Sequence, residues 1–401
     1  MIAEFSVENY CSIRSRQTLS FVPSADSSLE DLYMVEVKPG VRLLKMGVLY
    51  GSNASGKTKV LQALSFFTQW LTKVPTDKSK PIDVIPFLLD KESRNHPTTM
   101  QMEFYLEQER YILTVRMTQD RVLEEKLVVY PSVQPALLYE RTYNEQNDSS
   151  EIRFGKILNL GSKSQDTIAG RTLNNCSVIA AFAQSNVEGS RLNIVYKWLT
   201  NCFPKMISPD FSIRDYLHQS LEHGNAALKP FVLNLLKASD FNITDFHIPQ
   251  GDSMIVFQHH SSDFDGELPE QMESEGTMRF MAMAALEKAL VCDKVCLCVD
   301  EIETSLHYEL LTYFLRIFLA NSTSGSQLLF ATHDINLLDE DFIRRDVVWF
   351  TDKNMDGETR LLRLSGMGLH KNLSPYHAYR QGKLVPLPFL GSAYLNLEED
   401  R

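Results

Sequence analysis

Several things this chain lacks narrow it before any motif is read. Among its 401 residues no run of 18 apolar ones occurs, so no membrane-spanning helix and no membrane partner are expected. The opening Met1-Ile2-Ala3-Glu4-Phe5-Ser6-Val7 lacks a signal peptide's charged start and alternates like a strand. Only six cysteines are present (Cys11, Cys176, Cys202, Cys292, Cys296 and Cys298), and their spacing fits no zinc pattern. Cys296-Leu297-Cys298 lies inside an apolar run, where thiols behave as small buried hydrophobes, so a reduced, cytoplasmic protein is expected. Positive charge is in deficit: the formal net charge is −11, which argues against a broad basic coat for nucleic acid and leaves room only for a local patch. No heptad run of three or more appears, which excludes long coiled-coil arms, and there is no internal repeat.

What is present is concentrated. Gly51-Ser52-Asn53-Ala54-Ser55-Gly56-Lys57-Thr58 fills every fixed position of a phosphate-binding loop. Such a match arises by chance in roughly one chain in a hundred of this length. Met46 to Tyr50 is an apolar run of strand length, and Val60 to Leu64 begins a helical pattern, which is the strand–loop–helix order the motif requires. Gly51 and Gly56 permit tight dihedrals and close approach of an anion. The loop N–H groups and the helix N-terminus then face the phosphates, Lys57 bridges the outer phosphates, and Thr58 ligates Mg2+.

With 44% hydrophobic residues the chain can bury a substantial core. The pattern predicts an α/β fold: a phosphate-loop core sheet, an inserted antiparallel β-meander and a helical lobe, all in one domain over 1–401. Residues 1–75 carry N-terminal strands, the loop and its helix; 76–175 the meander; 185–270 the helical lobe. Residues 271–350 carry a helix and two strands that complete the site, and 351–401 a C-terminal segment. Ser177 to Ala183 is an apolar run expected to return to the core sheet as a strand ending at Gln184.

The second half of the site comes late in the chain. Val295 to Val299 is an apolar strand ending in Asp300-Glu301. A hard cation bridging phosphates wants a carboxylate at such a strand end, a role for Asp300, while Glu301 would orient and deprotonate an attacking water. Leu328 to Ala331 is a third strand, ending at Thr332-His333, where His333 could hydrogen-bond a γ-phosphate. Ser274 can cap the helix that precedes the Asp300 strand; by itself this is an ordinary helix start.

In this order, the phosphate loop, Ser274-Glu275-Gly276-Thr277, Val299-Asp300-Glu301 and Thr332-His333-Asp334 resemble the ABC-class ATPases, in the branch of RecF, SMC and OLD-like proteins. Ile2 to Tyr10 resembles their opening strand, and Asp300 to His307 their Walker B strand and dimer-contact loop. Arg345 to Phe350, Ala378 to Lys383 and Pro388-Phe389-Leu390 resemble the C-terminal signature of stand-alone RloA-like ATPases of anti-phage loci, including the ATPase subunit of PARIS systems. The resemblance implies an ATP-sandwiched homodimer or higher homo-oligomer. Each ATP and Mg2+ would be held by residues 51–58 of one protomer and by Ser274 and Gly276 of the other. It makes Lys57, Glu301 and His333 catalytic and adds Gln184 as a metal or water ligand beside Thr58 and Asp300. Two positions depart from the pattern. Cys11 stands where relatives often carry Arg, and Glu275 stands where transporters carry Gly, close to where a γ-phosphate would lie.

Three functions follow. The first is a slow, partner- or trigger-regulated ATPase of a bacterial anti-phage system, holding or activating a separately encoded nuclease- or toxin-like effector; the 68 residues after His333 are too few for a nuclease domain. The second is a DNA-repair or DNA-structure ATPase using the basic surplus at 344–383 (Arg344, Arg345, Lys353, Arg360, Arg363, Lys371, Arg380 and Lys383). The third is a non-hydrolysing scaffold, against which both Asp300 and Glu301 speak. A GTPase lacks support because no guanine-reading Asn-Lys-x-Asp motif occurs.

Overall fold

The computed structural model of the protein describes residues 1–188, 190–223, 226–239, 241–249, 254–260, 265–370 and 372–386. Pro388, Phe389, Leu390 and Lys371 lie outside the described residues.

The N-terminal part consists of β1 (Ile2–Glu8), β2 (Gln17–Ser20), a short helix α1 (Glu30–Tyr33) and a hairpin of β3 (Met34–Lys38) and β4 (Val41–Leu44). β5 (Met46–Tyr50) then runs into the glycine loop and α2 (Lys57–Thr72). Every residue of β5 is buried, as a parallel strand covered on both faces must be. α2 buries Val60, Leu61, Leu64, Phe67 and Leu71 on one stripe. Burying each such side chain contributes about 1.5–3 kcal/mol, so the helix that carries Lys57 and Thr58 is firmly seated.

Five strands follow: β6 (Thr98–Leu106), β7 (Glu109–Met117), β8 (Val122–Tyr130), β9 (Ala136–Asn144) and β10 (Ser149–Phe154). Their alternation of buried and less buried residues is that of an antiparallel sheet with one face on the core. They do not form a separate module. β6 pairs antiparallel with β1, Val7 facing Met100, and the sheet has seven strands in the order β10-β9-β8-β7-β6-β1-β2.

After α3 (Ser162–Arg171) comes a correction. Val178–Ala183, expected as a strand, is helix α4. Ser177 caps it by accepting from Ile179 N, and three of its six residues are alanine, the strongest helix former. The run is buried on every side, so it has no periodicity by which strand and helix could be told apart.

The lobe comprises α5 (Ser190–Cys202), α6 (Ile213–His223), α7 (Leu228–Ala238) and a three-stranded sheet of β11 (Ile243–His247), β12 (Val256–His260) and β13 (Asp265–Pro269). α6, α7 and the sheet share a second core with α8 (Glu275–Cys292), built on Leu217, Val232, Leu236, Phe257 and Met281. β14 (Cys296–Val299), α9 (Tyr308–Asn321), β15 (Gln327–Ala331), β16 (Val348–Lys353), β17 (Thr359–Arg363) and α10 (Pro375–Arg380) complete the chain. The core sheet runs β14-β15-β5-β16-β17, parallel except for β17. The fold is therefore α/β, with the phosphate loop on a mostly parallel sheet, a large antiparallel sheet and a helical lobe. Among the described residues, no helix is long and apolar enough to cross a membrane.

Candidate functional site: a phosphate-loop cleft

Register explains why residues from three distant segments meet. Ala331 lies beside Leu49, Phe330 beside Val299, and Phe350 beside Tyr50, so the parallel strands end together. Gly51, Asp300, His333 and Thr351 thus emerge at one edge, where open α/β sheets place their ligands. A cleft of about 530 Å3 lies there, lined by residues 53–59, Asp300, Glu301, His333, Ser12 and Lys353.

The two glycines are required by contact as well as conformation. Gly51 has φ 156° and Gly56 φ 111°. A Cβ on Gly51 would stand 2.5 Å from Ser55 Oγ, and one on Gly56 2.2 Å from Thr359 Oγ1. The hairpin of β16 and β17 presses on the loop here. Ser55 and Thr351 hydroxyls are 2.5 Å apart, Thr359 Oγ1 donates to the Ser55 carbonyl at 2.9 Å, and Ser12 and Thr359 hydroxyls are 2.8 Å apart.

Lys57 Nζ donates to the carbonyls of Gly51 at 2.9 Å and Ser52 at 3.3 Å, folded back over its own loop. Burial lowers its pKa, against the pull of the Asp300, Glu303 and Glu301 carboxylates. Thr58 Oγ1 donates to Asp300 Oδ2 at 2.7 Å. Asp300 is buried and its other oxygen, Oδ1, has no partner among the described residues. A buried carboxylate oxygen without a donor is costly unless a cation or water completes it. Thr58 and Asp300, two oxygen ligands in contact at a phosphate loop, therefore fit a hard divalent cation.

Asp300 is itself positioned by the lobe: its N–H donates to the Ile207 carbonyl at 2.7 Å, and Ile207 bridges Val299 as an added strand. Glu301 follows with φ 48°, a left-handed conformation that a non-glycine residue rarely adopts. His333 is exposed in the cleft, and its backbone N–H donates to Glu303 Oε1 at 2.7 Å. Among the described residues, Glu303 Oε2 is buried without a partner. Sequence alone places none of Ser12, Lys353 or Glu303 at the nucleotide site; the first two reach the cleft only because β1–β2 and β16–β17 fold against the loop, and no motif marks them there.

Ser274 caps α8 by accepting from Thr277 N at 3.0 Å, with Gly276 beside the Ser305 carbonyl. Neither residue lines the cleft formed by residues 53–59. Glu275, expected near a γ-phosphate, accepts from Arg214 of α6 at 3.0 Å. Gln184, expected at a strand end, instead ends helix α4; its carbonyl accepts from Arg171, and it is not among the cleft-lining residues.

The basic surplus also contracts. Arg344 is buried against Asp346 at 2.7 Å. Arg345 donates to the carbonyls of Leu369 at 2.9 Å and Leu373 at 2.8 Å. Arg363 donates to those of Asp346 and Val22, both at 2.7 Å. These three cations tie the C-terminal segment to the core, while Arg360, Arg380 and Lys383 are exposed. The cysteines are free thiols, and burial pushes Cys298 up to about 12.

Fold and cleft together define a P-loop ATPase domain. The chain belongs to the AAA_21 family, described as "AAA domain, putative AbiEii toxin, Type IV TA system", whose match covers residues 47–339. No curated protein matches the chain. Among solved structures it is similar to the SMC head domain from Thermotoga maritima, with 10% identity, 90% of this chain and 98% of that one covered, and a TM-score of 0.45. It is also similar to an SMC head bound to the C-winged helix domain of ScpA, with 11% identity, coverage of 90% and 97%, and a TM-score of 0.43.

Proposed function

We propose that the protein hydrolyses ATP as an ABC-class ATPase subunit of an anti-phage system, and that an ATP-sandwiched dimer holds or activates a separate effector. The observation that carries the ATPase reading is the contact of Thr58 with Asp300 at 2.7 Å, beside a second Asp300 oxygen left without a partner. The family description, with its toxin–antitoxin reference, supports a role in conflict systems and a partner protein.

Residues 51–58 would bind the phosphates through loop N–H groups and Lys57. Thr58 and Asp300 would hold Mg2+, which supplies charge neutralisation on the phosphates. Glu301 orients the attacking water and takes its proton, and His333 hydrogen-bonds the γ-phosphate. Ser274 and Gly276 lie on a separate helix start and would complete the partner protomer's site. With Glu275 paired to Arg214, its carboxylate is removed as an obstacle to that closure.

The test is size measurement of Glu301→Gln with ATP and Mg2+, beside phosphate release by wild type, Glu301→Gln and Lys57→Ala. Loss of release in both variants and an ATP-stabilised dimer in Glu301→Gln are expected. A Glu301→Gln protein that stays monomeric with ATP bound would sink the dimer claim. The DNA-structure reading loses Arg344 to Asp346 and has Arg345 and Arg363 engaged with backbone carbonyls, which leaves it Arg360, Arg380 and Lys383 as exposed cations besides Lys353.

A further inference from the structure

One cation of the 344–383 surplus is placed unlike its neighbours. Lys353 closes β16 and lines the nucleotide cleft together with Ser12 and residues 53–59. Its backbone is fixed relative to the phosphate loop from several directions. β16 runs parallel to β5, with Phe350 opposite Tyr50, so both strands deliver their ends to the same edge. Thr351, two residues before Lys353, is hydroxyl to hydroxyl with Ser55 at 2.5 Å. Thr359, the cross-strand partner of Lys353, donates to the Ser55 carbonyl at 2.9 Å. The turn beyond is tied down as well: Asn354 Nδ2 donates to Glu358 at 3.0 Å, and Glu358 accepts from Ser15 N at 2.9 Å.

The Lys353 side chain is the exposed part of this fixed frame. Lys57 spends its ammonium on loop carbonyls, and Lys59 donates to Gln62 at 2.9 Å. Among the described residues, the Lys353 ammonium has neither a hydrogen bond nor an ion pair. A cation held on a rigid strand end, without a partner, over a loop built to receive phosphates is poised for an anionic ligand in that cleft.

We propose that Lys353 is a nucleotide-binding residue whose ammonium pairs with the phosphate chain of ATP from the hairpin side of the cleft. The inference rests on the nucleotide-site reading above. It deepens that reading by assigning a phosphate contact to the hairpin as well as to the loop.

The test is calorimetric titration of Mg-ATP into the Glu301→Gln protein, with and without Lys353→Met or Lys353→Arg, at low and high salt. Lys353→Met is expected to weaken ATP binding about tenfold at low salt and to flatten its salt dependence, while Lys353→Arg keeps most of the affinity. An unchanged Kd and salt response in Lys353→Met, with tight binding by the parent, would overturn this inference and leave the nucleotide site standing. Equal weakening in Lys353→Arg and Lys353→Met would overturn pairing through charge. No ATP binding by the parent would remove both readings together.

Discussion

Thr58 and Asp300, 242 residues apart in sequence, are joined by a hydrogen bond of 2.7 Å from the threonine hydroxyl to Asp300 Oδ2. The bond ties the start of α2 to the end of β14, so the two oxygen ligands expected for the cation are held side by side by the fold. Such preorganisation lowers the ordering cost of binding.

Asp300→Asn should therefore do more harm than its small size suggests. The amide keeps shape but loses the negative charge that balances a divalent cation. Phosphate release is expected to fall by about 100-fold or more, with the Mg2+ concentration at half-activity shifted upward. Thr58→Val should shift the Mg2+ midpoint in the same direction. Release that is independent of both changes would remove Asp300 from the cation site.

Gly56→Ala combines a positive φ with a Cβ 2.2 Å from Thr359 Oγ1. Strain at such a position costs about 1–3 kcal/mol before the clash is counted. The variant is expected to melt lower and to lose measurable ATP binding. Adding Thr359→Ala should recover part of the melting temperature, because it removes the contacts with the threonine Oγ1 and Cγ2 while leaving a 2.9 Å approach to the residue 359 Cβ and the dihedral strain. Full recovery in the double variant would show that conformation is not the constraint.

Glu125 is a buried carboxylate in the large sheet that accepts from Tyr139 Oη at 2.8 Å, Ser177 Oγ at 2.6 Å and Val178 N at 3.0 Å. It thereby fastens β8 to the start of α4. Burial raises its pKa, against the Arg141 guanidinium and these hydrogen bonds. Glu125→Ala leaves several donors unpaired and should cost about 3 kcal/mol, read as a drop in denaturation midpoint. Glu125→Gln should cost less. Equal stability of Glu125→Ala and wild type would refute this account.

Lys45 is buried, and its ammonium donates to the carbonyls of Leu319 at 2.7 Å and Ser322 at 2.9 Å, at the C-terminal end of α9. Burial lowers its pKa from 10.5 to about 8. The folded-state value lies below the unfolded one, so between about pH 8 and 10.5 the unfolded chain binds more protons. Stability from this group therefore rises with pH through that window and is lost as pH falls through about 8. Lys45→Met should remove that rise, of order 2 kcal/mol between pH 7.5 and 9.5, when its denaturation midpoints are compared with wild type. Parallel pH curves for the two proteins would contradict the assignment.

The parts legible in the sequence were those fixed by local chemistry. Gly51 to Thr58, the strand end at Asp300 and the cap at Ser274 each announce themselves within a few residues, and the α/β class follows from their spacing. What was not legible depends on long-range packing. Val178 to Phe182 is apolar throughout and buried, so periodicity could not separate helix α4 from a strand. Gln184 was therefore expected at a strand end and stands at a helix end. The eight cations of 344–383 read as a patch, yet Arg344 is buried against Asp346, a partner only two residues away whose burial no pattern signals. Lys353 and Ser12 reach the cleft through tertiary contacts alone.

The hairpin of β16 and β17 carries one more consequence, for synthesis. Ser55 is made early, while Thr359, which grips its carbonyl, is 304 residues later. A nascent chain displaying the complete glycine loop, and even one that has reached His333, still lacks the two threonines that hold the loop in shape. The loop should then take its final shape only after Thr359 has left the ribosome, however early Gly51 to Thr58 emerges.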